Sequence, residues 1–253
     1  AFDQQYMVFQ NIYRFKDIPE IDNILPKSGS WKQAEAICNY VNNLSEEMVS
    51  PDKLLQDSEP SIIALGQILK KYRQILAEGN LMDFSSIQIE AYELLRDHPE
   101  VLKELHSQIS HIMVDEYQDT NFIQERIIFL LAGRKKNICV VGDDDQGLYR
   151  FRGATIRNIL EFPNKFPDNE CQIIPLVVNY RSNSDIVAFY NEWMNTTAGS
   201  KFKFEWGKYR YGKKIVPYEK SVLNSSSVVK LTSVNDVDEW HESCRFNYYF
   251  RGC

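Results

Sequence analysis

Two stretches decide the fold: HIMVDEYQDTN (His111–Asn121) and NICVVGDDDQGLYRFRGA (Asn137–Ala154). Each begins as a short apolar run and turns abruptly acidic. Between them, Ile123 to Ala132 carries helical spacing. CQIIPLVVN (Cys171–Asn179) is a third β-rich run. Apolar strands alternating with helices predict an α/β fold built on a buried parallel sheet. In such sheets ligands bind outside the carboxyl ends of the strands. Both acidic clusters sit at carboxyl ends, so they are expected as neighbours on one rim.

Outward from this centre, the first third reads as helical. Trp31, Ala34, Ile37, Val41, Leu44 and Met48 recur at spacings of three and four, with Ser30 as the expected N-cap. Ile62, Leu65, Ile68, Tyr72 and Ile75 repeat the pattern, with Ser58 and Pro60 in front and Gly79 behind. A further helix is expected over Ser85 to Arg96, and another over Ser184 to Met194. Ser227 to Val234 has strand character. The last residues, SCRFNYYFRGC, continue no pattern.

The 253 residues carry a net charge of −6, so the whole-molecule field does not favour nucleic acid, and a local patch must supply any such binding. No apolar run approaches the length of a membrane span, and the first residues do not resemble a secretory leader. The five cysteines are dispersed, with no CxxC pair and no zinc spacing. An odd number of thiols set in apolar runs suggests a reducing, cytoplasmic setting.

Asp115 and Glu116 end their strand on opposite sides of the chain. One carboxylate there can hold Mg²⁺ largely through water, and the other can polarise an attacking water. For a bare VDE triplet, two solvated acids at a strand end is the commoner reading. The order VDEYQDTN, VVGDDDQGLYRFRGA and NYRS reverses that weighting.

These segments resemble motifs II, III and IV of superfamily 1 DNA helicases of the UvrD/Rep/PcrA type. MDFSS (Met82–Ser86) is similar to the point where such chains re-enter their first motor domain. The resemblance is strong from Leu81 to Ser184 and weaker on both flanks. It implies a partial RecA-like P-loop NTPase sheet, in three parts. Residues 1–80 would be a helical insertion, 81–176 part of the first RecA-like domain, and 177–253 the beginning of a second. It implies ATP and Mg²⁺ as cofactors and single-stranded DNA as partner, with repair or replication proteins possible beside it. Asp115 would be the Mg²⁺ ligand and Glu116 the general base. Gln146 would sense the γ-phosphate, Arg181 would act as an arginine finger, and Tyr180 would stack on adenine.

The resemblance also places Tyr149, Phe151 and Arg152 against single-stranded DNA, where aromatic faces stack on any base. Phe151 stands where many relatives have Trp, and Gly147 where Ser is frequent. A core position for Phe151 is the plainer alternative. KFKFEWGKYRYGKK (Lys201–Lys214) interleaves bases with aromatics. It fits a DNA-binding surface and a solvated hairpin equally well.

No GxxxxGK[ST] occurs in the chain. Without that loop no backbone N–H groups cradle the β-phosphate. The expectation is therefore an interior fragment of an ATP-dependent helicase, active 3′ to 5′ in the intact protein and inactive alone. The alternative is a non-catalytic module that binds single-stranded DNA or a repair partner.

Overall fold

The computed structural model describes residues 2–147, 156–167, 170–195 and 213–218, without the side chains of 193–195. The chain divides into two compact units, Ala1–Gln172 and Ile173–Cys253.

The first unit opens with five helices: α1 (Phe2–Gln10), α2 (Ile21–Ile24), α3 (Ser30–Glu46), α4 (Pro51–Leu55) and α5 (Pro60–Gly79). The stripes read from the sequence become one core. Ala34, Ile37 and Val41 of α3 are buried with Ile68, Leu69 and Tyr72 of α5, and Val8 and Phe15 join them. Each buried Ile, Leu, Val or Phe among them contributes roughly 1.5–3 kcal/mol. The helix ends differ from expectation: α3 stops at Glu46, so Met48 lies beyond it at φ 54°, and two caps shift. Gly29, not Ser30, is the N-cap of α3, and Ser30 lies inside the first turn. At the other end of α5 the helix runs through Gly79, and Asn80 takes the left-handed cap at φ 49°. Asn tolerates that region because its short polar side chain bonds locally. Pro60 opens α5, where its missing N–H is no loss.

Two helices follow, α6 (Phe84–Asp97) and α7 (Pro99–Gln108). Asp83 caps α6 by accepting from the Ser86 N–H at 2.6 Å, while Ser86 Oγ accepts from the Asp83 N–H at 2.8 Å. Asp83 also accepts from the Tyr72 hydroxyl and from Gln4 Nε2. One carboxylate thus starts α6 and ties it to the helical bundle. Burial, then the Asp83 carboxylate, pushes the Tyr72 phenol well above its ordinary range.

Strand β1 (Ile112–Val114) runs parallel to β2 (Ile138–Val140), with Ile112 opposite Ile138 and Val114 opposite Val140. Helix α8 (Phe122–Ala132) makes the crossover, in the manner that parallel neighbours require. Val114, Ile138 and Val140 pack on one face with Tyr117, Phe129, Ile159 and Phe162. Met113 and its register partner Cys139 point the other way and are exposed. The sheet among the described residues is therefore buried on one face, where both were expected to be. A short helix, α9 (Arg157–Glu161), returns beneath the loop after β1.

In the second unit, β3 (Val178–Asn179) pairs in parallel with β4 (Val216–Pro217), and α10 (Ser184–Asn195) packs on β4. Asn191 of α10 both donates to the Ile215 carbonyl and accepts from its N–H. The expected run Cys171–Asn179 is mostly not strand. Only Val178 and Asn179 pair, and Ile173, Ile174 and Leu176 are exposed. Ser227–Val234 lies outside the described residues. No described helix is long and apolar enough to cross a membrane.

Candidate functional site

Both acidic clusters emerge from the same end of the β1–β2 pair. The ladder continues past the strands, since the Val141 N–H donates to the Val114 carbonyl and the Tyr117 N–H to the Val141 carbonyl. Continuing the register of the pair, Asp115 and Glu116 follow β1 where Val141 and Gly142 follow β2.

The chain turns sharply at Glu116, which holds φ 50° and ψ 42°. A non-glycine residue in that region stores about 1–3 kcal/mol unless its surroundings compensate. Here several contacts hold it. Asp115 Oδ1 accepts from the Glu116 N–H at 2.9 Å. The Tyr117 ring is fully buried, packed edge-on against Phe162 at 5.2 Å, and its hydroxyl donates to Glu125 Oε1 at 2.9 Å. The Thr120 hydroxyl donates to the Tyr117 carbonyl. Buried Asn158 of α9 donates to the carbonyls of Thr120 and Asn121. Asn121 then caps α8 in a reciprocal pair with Gln124. The loop is thus fixed from below while both carboxylates stay exposed on top.

Asp115 keeps one carboxylate oxygen without a protein partner among the described residues. That suits Mg²⁺, which takes one or two carboxylates and retains several waters. Glu116 Oε2 accepts from Gln118 Nε2 at 2.6 Å, which leaves Oε1 to face solvent. Burial, then the Glu116 charge, pushes the Asp119 carboxyl above its ordinary range, and its Oδ1 is buried without a partner among the described residues.

Across the rim, Asp143 organises the second cluster. Its Oδ1 accepts from the Asp145 N–H at 3.1 Å, and its Oδ2 accepts from Gln146 Nε2 at 2.7 Å. Gln146 is therefore exposed yet oriented. Asp143, Asp144 and Asp145 each bring a carboxylate oxygen within 4.8 Å of the others. Tyr149, Phe151 and Arg152 lie outside the described residues, as do residues 201–212 of the basic-aromatic stretch.

Gln118 was missed by sequence reasoning. It is 1% exposed and spans the two clusters, donating to Glu116 and accepting from the Asp143 N–H at 3.0 Å. Gly142 makes room for it: a Cβ there would fall 2.6 Å from Gln118 Oε1 and 2.8 Å from Ile159 Cδ1. A buried glutamine two residues after paired acids, opposite a glycine at the next strand exit, is the only hint that the sequence carried.

In the second unit, Asn179 Oδ1 accepts from the N–H groups of Arg181 and Ser182 at 2.9 and 2.7 Å. This side-chain turn projects Tyr180 and Arg181 outward. Tyr180 is 75% exposed, with Tyr218 against it at 4.7 Å between ring centres. Arg181 is exposed as well.

The family described as UvrD/REP helicase N-terminal domain matches residues 3–167. The ATP-dependent DNA helicase UvrD1 of Mycobacterium tuberculosis is 35% identical over 193 residues, 72% of this chain and 25% of its own length. DNA helicase II of Haemophilus influenzae is 31% identical over 227 residues, 90% of this chain and 30% of its own. The ATP-dependent DNA helicase PcrA of Staphylococcus aureus is 34% identical over 207 residues, 81% and 27% respectively. The chain thus spans 25 to 30% of the length of these relatives. With paired carboxylates at the exit of one parallel strand and an acid-glutamine cluster at the exit of its neighbour, this chain belongs to the UvrD/REP helicase family.

Proposed function

We propose that this chain forms the carboxylate wall of the ATP site in a DNA helicase that moves on single-stranded DNA, 3′ to 5′. Residues 1–80 would be the helical insertion of the first motor domain, 81–176 a part of its RecA-like sheet, and 177–253 the start of the second motor domain. The observation that carries this reading is the shared rim. Asp115, Glu116, Asp143 and Gln146 leave two parallel, register-matched strands and are held by a buried hydrogen-bonded base.

Bound Mg²⁺ would offset the charge of the phosphates. Asp115 is suited to hold it through its second oxygen. Glu116 would orient a water and take its proton at Oε1, since Oε2 is engaged by Gln118. Gln146 would report on the γ-phosphate side from its seat on Asp143. Arg181 would supply a permanent planar charge to the transferring phosphoryl group, and Tyr180 would stack on the adenine. Tyr149, Phe151 and Arg152, directly after this cluster in sequence, would face the DNA bases.

No phosphate-cradling GxxxxGK[ST] occurs in these 253 residues, so the chain alone is expected to be inactive. The test is ATP hydrolysis with and without single-stranded DNA, on this chain and on the full-length polypeptide. DNA-stimulated turnover by the full-length protein alone supports the reading. DNA binding without hydrolysis by the full-length protein would replace it with that of a binding module.

A further inference from the structure

A continuous hydrogen-bonded chain crosses the rim. Glu116 Oε2 accepts from Gln118 Nε2 at 2.6 Å, Gln118 Oε1 accepts from the Asp143 N–H at 3.0 Å, and Asp143 Oδ2 accepts from Gln146 Nε2 at 2.7 Å. Gln118 is the only side chain in it that is buried outright, at 1% exposure. We propose that Gln118 is a positioning residue that fixes the Glu116 carboxylate to the Asp143–Gln146 loop, so that a change in one alters the aim of the other.

The chemistry singles out an amide. Its two ends have opposite polarity, and each faces a partner of the complementary kind. The N–H₂ end makes a short, charge-assisted bond to a carboxylate. The carbonyl end accepts from a backbone N–H that would otherwise lack that partner. A flipped amide would set oxygen against the Glu116 carboxylate and N–H₂ against N–H, so the surroundings select one orientation. Asn is one methylene too short to span both partners. Met fills the volume and satisfies neither. Glu keeps the shape and sets a second carboxylate 2.6 Å from the first.

The bond also decides which oxygen of Glu116 can act. With Oε2 held, Oε1 is left for a water, and the carboxylate plane is set by Gln118 rather than by solvent. Because Gln118 grips the backbone of Asp143, it holds the loop that carries Gln146 on the same amide. Two observations on this structure make the linkage tight. Gly142 has no side chain in the one place where a Cβ would collide with Gln118 Oε1. Tyr117, next in the chain, is locked by Phe162 and Glu125.

This rests on Glu116 as the base, and the experiment separates the two. DNA-stimulated ATP hydrolysis is measured in the full-length polypeptide for wild type, Glu116→Gln, Gln118→Met and Gln118→Glu, with kcat and KM for ATP. In Gln118→Met, kcat falls about ten- to a hundredfold, the range for loss of a group that orients an active-site ligand, while KM stays within about twofold. In Gln118→Glu, an acceptor replaces the amide donor beside the Glu116 carboxylate, and kcat falls at least about tenfold with KM again within about twofold. That variant keeps the shape of the side chain and decides the matter if Gln118→Met does not fold. Wild-type kcat in Gln118→Met or in Gln118→Glu overturns the role of Gln118 when Glu116→Gln is inactive. Turnover surviving in Glu116→Gln overturns the reading of Glu116 itself.

Discussion

The Tyr117 hydroxyl donates to Glu125 at 2.9 Å, tying the acidic loop after β1 to the helix that follows it. Glu125 is 1% exposed, and Lys165 Nζ lies 2.6 Å from its other oxygen. A buried carboxylate is tolerable only when paired and hydrogen-bonded, so the two partners stand or fall with it. Burial, then the Glu125 charge, pushes the Tyr117 phenol well above its ordinary range. Tyr117→Phe should lower the unfolding free energy by about 1–3 kcal/mol, the usual range for losing a buried bond to a charged group. Urea unfolding checks it, and an unchanged midpoint would remove Tyr117 from the support of the loop.

Gly142→Ala tests the space beneath the rim. The new methyl would meet Gln118 Oε1 at 2.6 Å, Ile159 Cδ1 at 2.8 Å and the Tyr117 backbone nitrogen at 3.3 Å. One of these neighbours is backbone and another is buried, so the strain has no easy outlet. The expected loss is about 1–3 kcal/mol of stability, accompanied by slower turnover in the full-length protein because Gln118 is displaced.

Glu46 carries a pH prediction. Burial pushes its carboxyl above the ordinary carboxylate range, and its Oε2 is buried without a partner among the described residues. A pKa raised in the folded state means that the fold favours the protonated acid. Its contribution is therefore full below the unfolded pKa and is lost as pH rises through the folded one. Glu46→Gln mimics the neutral form. It should raise the urea midpoint at pH 7 and match wild type below about pH 4, near the ordinary carboxylate value. A lower midpoint at pH 7 would show that the ionised carboxylate is the favoured form.

Arg181 and Tyr180 carry the second-domain prediction. Arg181→Ala in the full-length polypeptide should keep nucleotide binding and lose about a thousandfold or more in kcat, as removal of an arginine finger does. Arg181→Lys should recover little, because an ammonium lacks the planar fork. Full recovery by lysine would reduce Arg181 to a simple positive charge.

The helices were legible because their cores follow helical spacing. Trp31 to Leu44 lies within α3, with Met48 beyond its end at φ 54°, Ile62 to Leu76 lies within α5, and Ile123 to Ala132 became most of α8. Their ends were less so. Ser30 and Gly79 have the right composition for caps, but Gly29 and Asn80 take those positions, because backbone geometry and not residue type sets where the last hydrogen bond falls. Cys171–Leu176 has strand composition and does not pair, since a strand also needs a neighbour in register. That Asp115 and Glu116 would share a rim with the cluster carrying Gln146 was readable from two apolar runs that each end in acids. The bridge made by Gln118 was not, because it depends on the space at Gly142, which lies 24 residues away in sequence and across a strand pair. The left-handed turn at Glu116 was also hidden, since nothing in a glutamate's identity announces positive φ.

The central claim is that Glu116 activates water at a rim shared with Gln146. The most direct measurement is ATP hydrolysis by the full-length polypeptide and its Glu116→Gln variant, each with and without single-stranded DNA, alongside nucleotide binding. The account predicts DNA-stimulated turnover in the wild type, and a variant that binds nucleotide normally and turns over at least about a hundredfold more slowly. Equal turnover by the two proteins would contradict it.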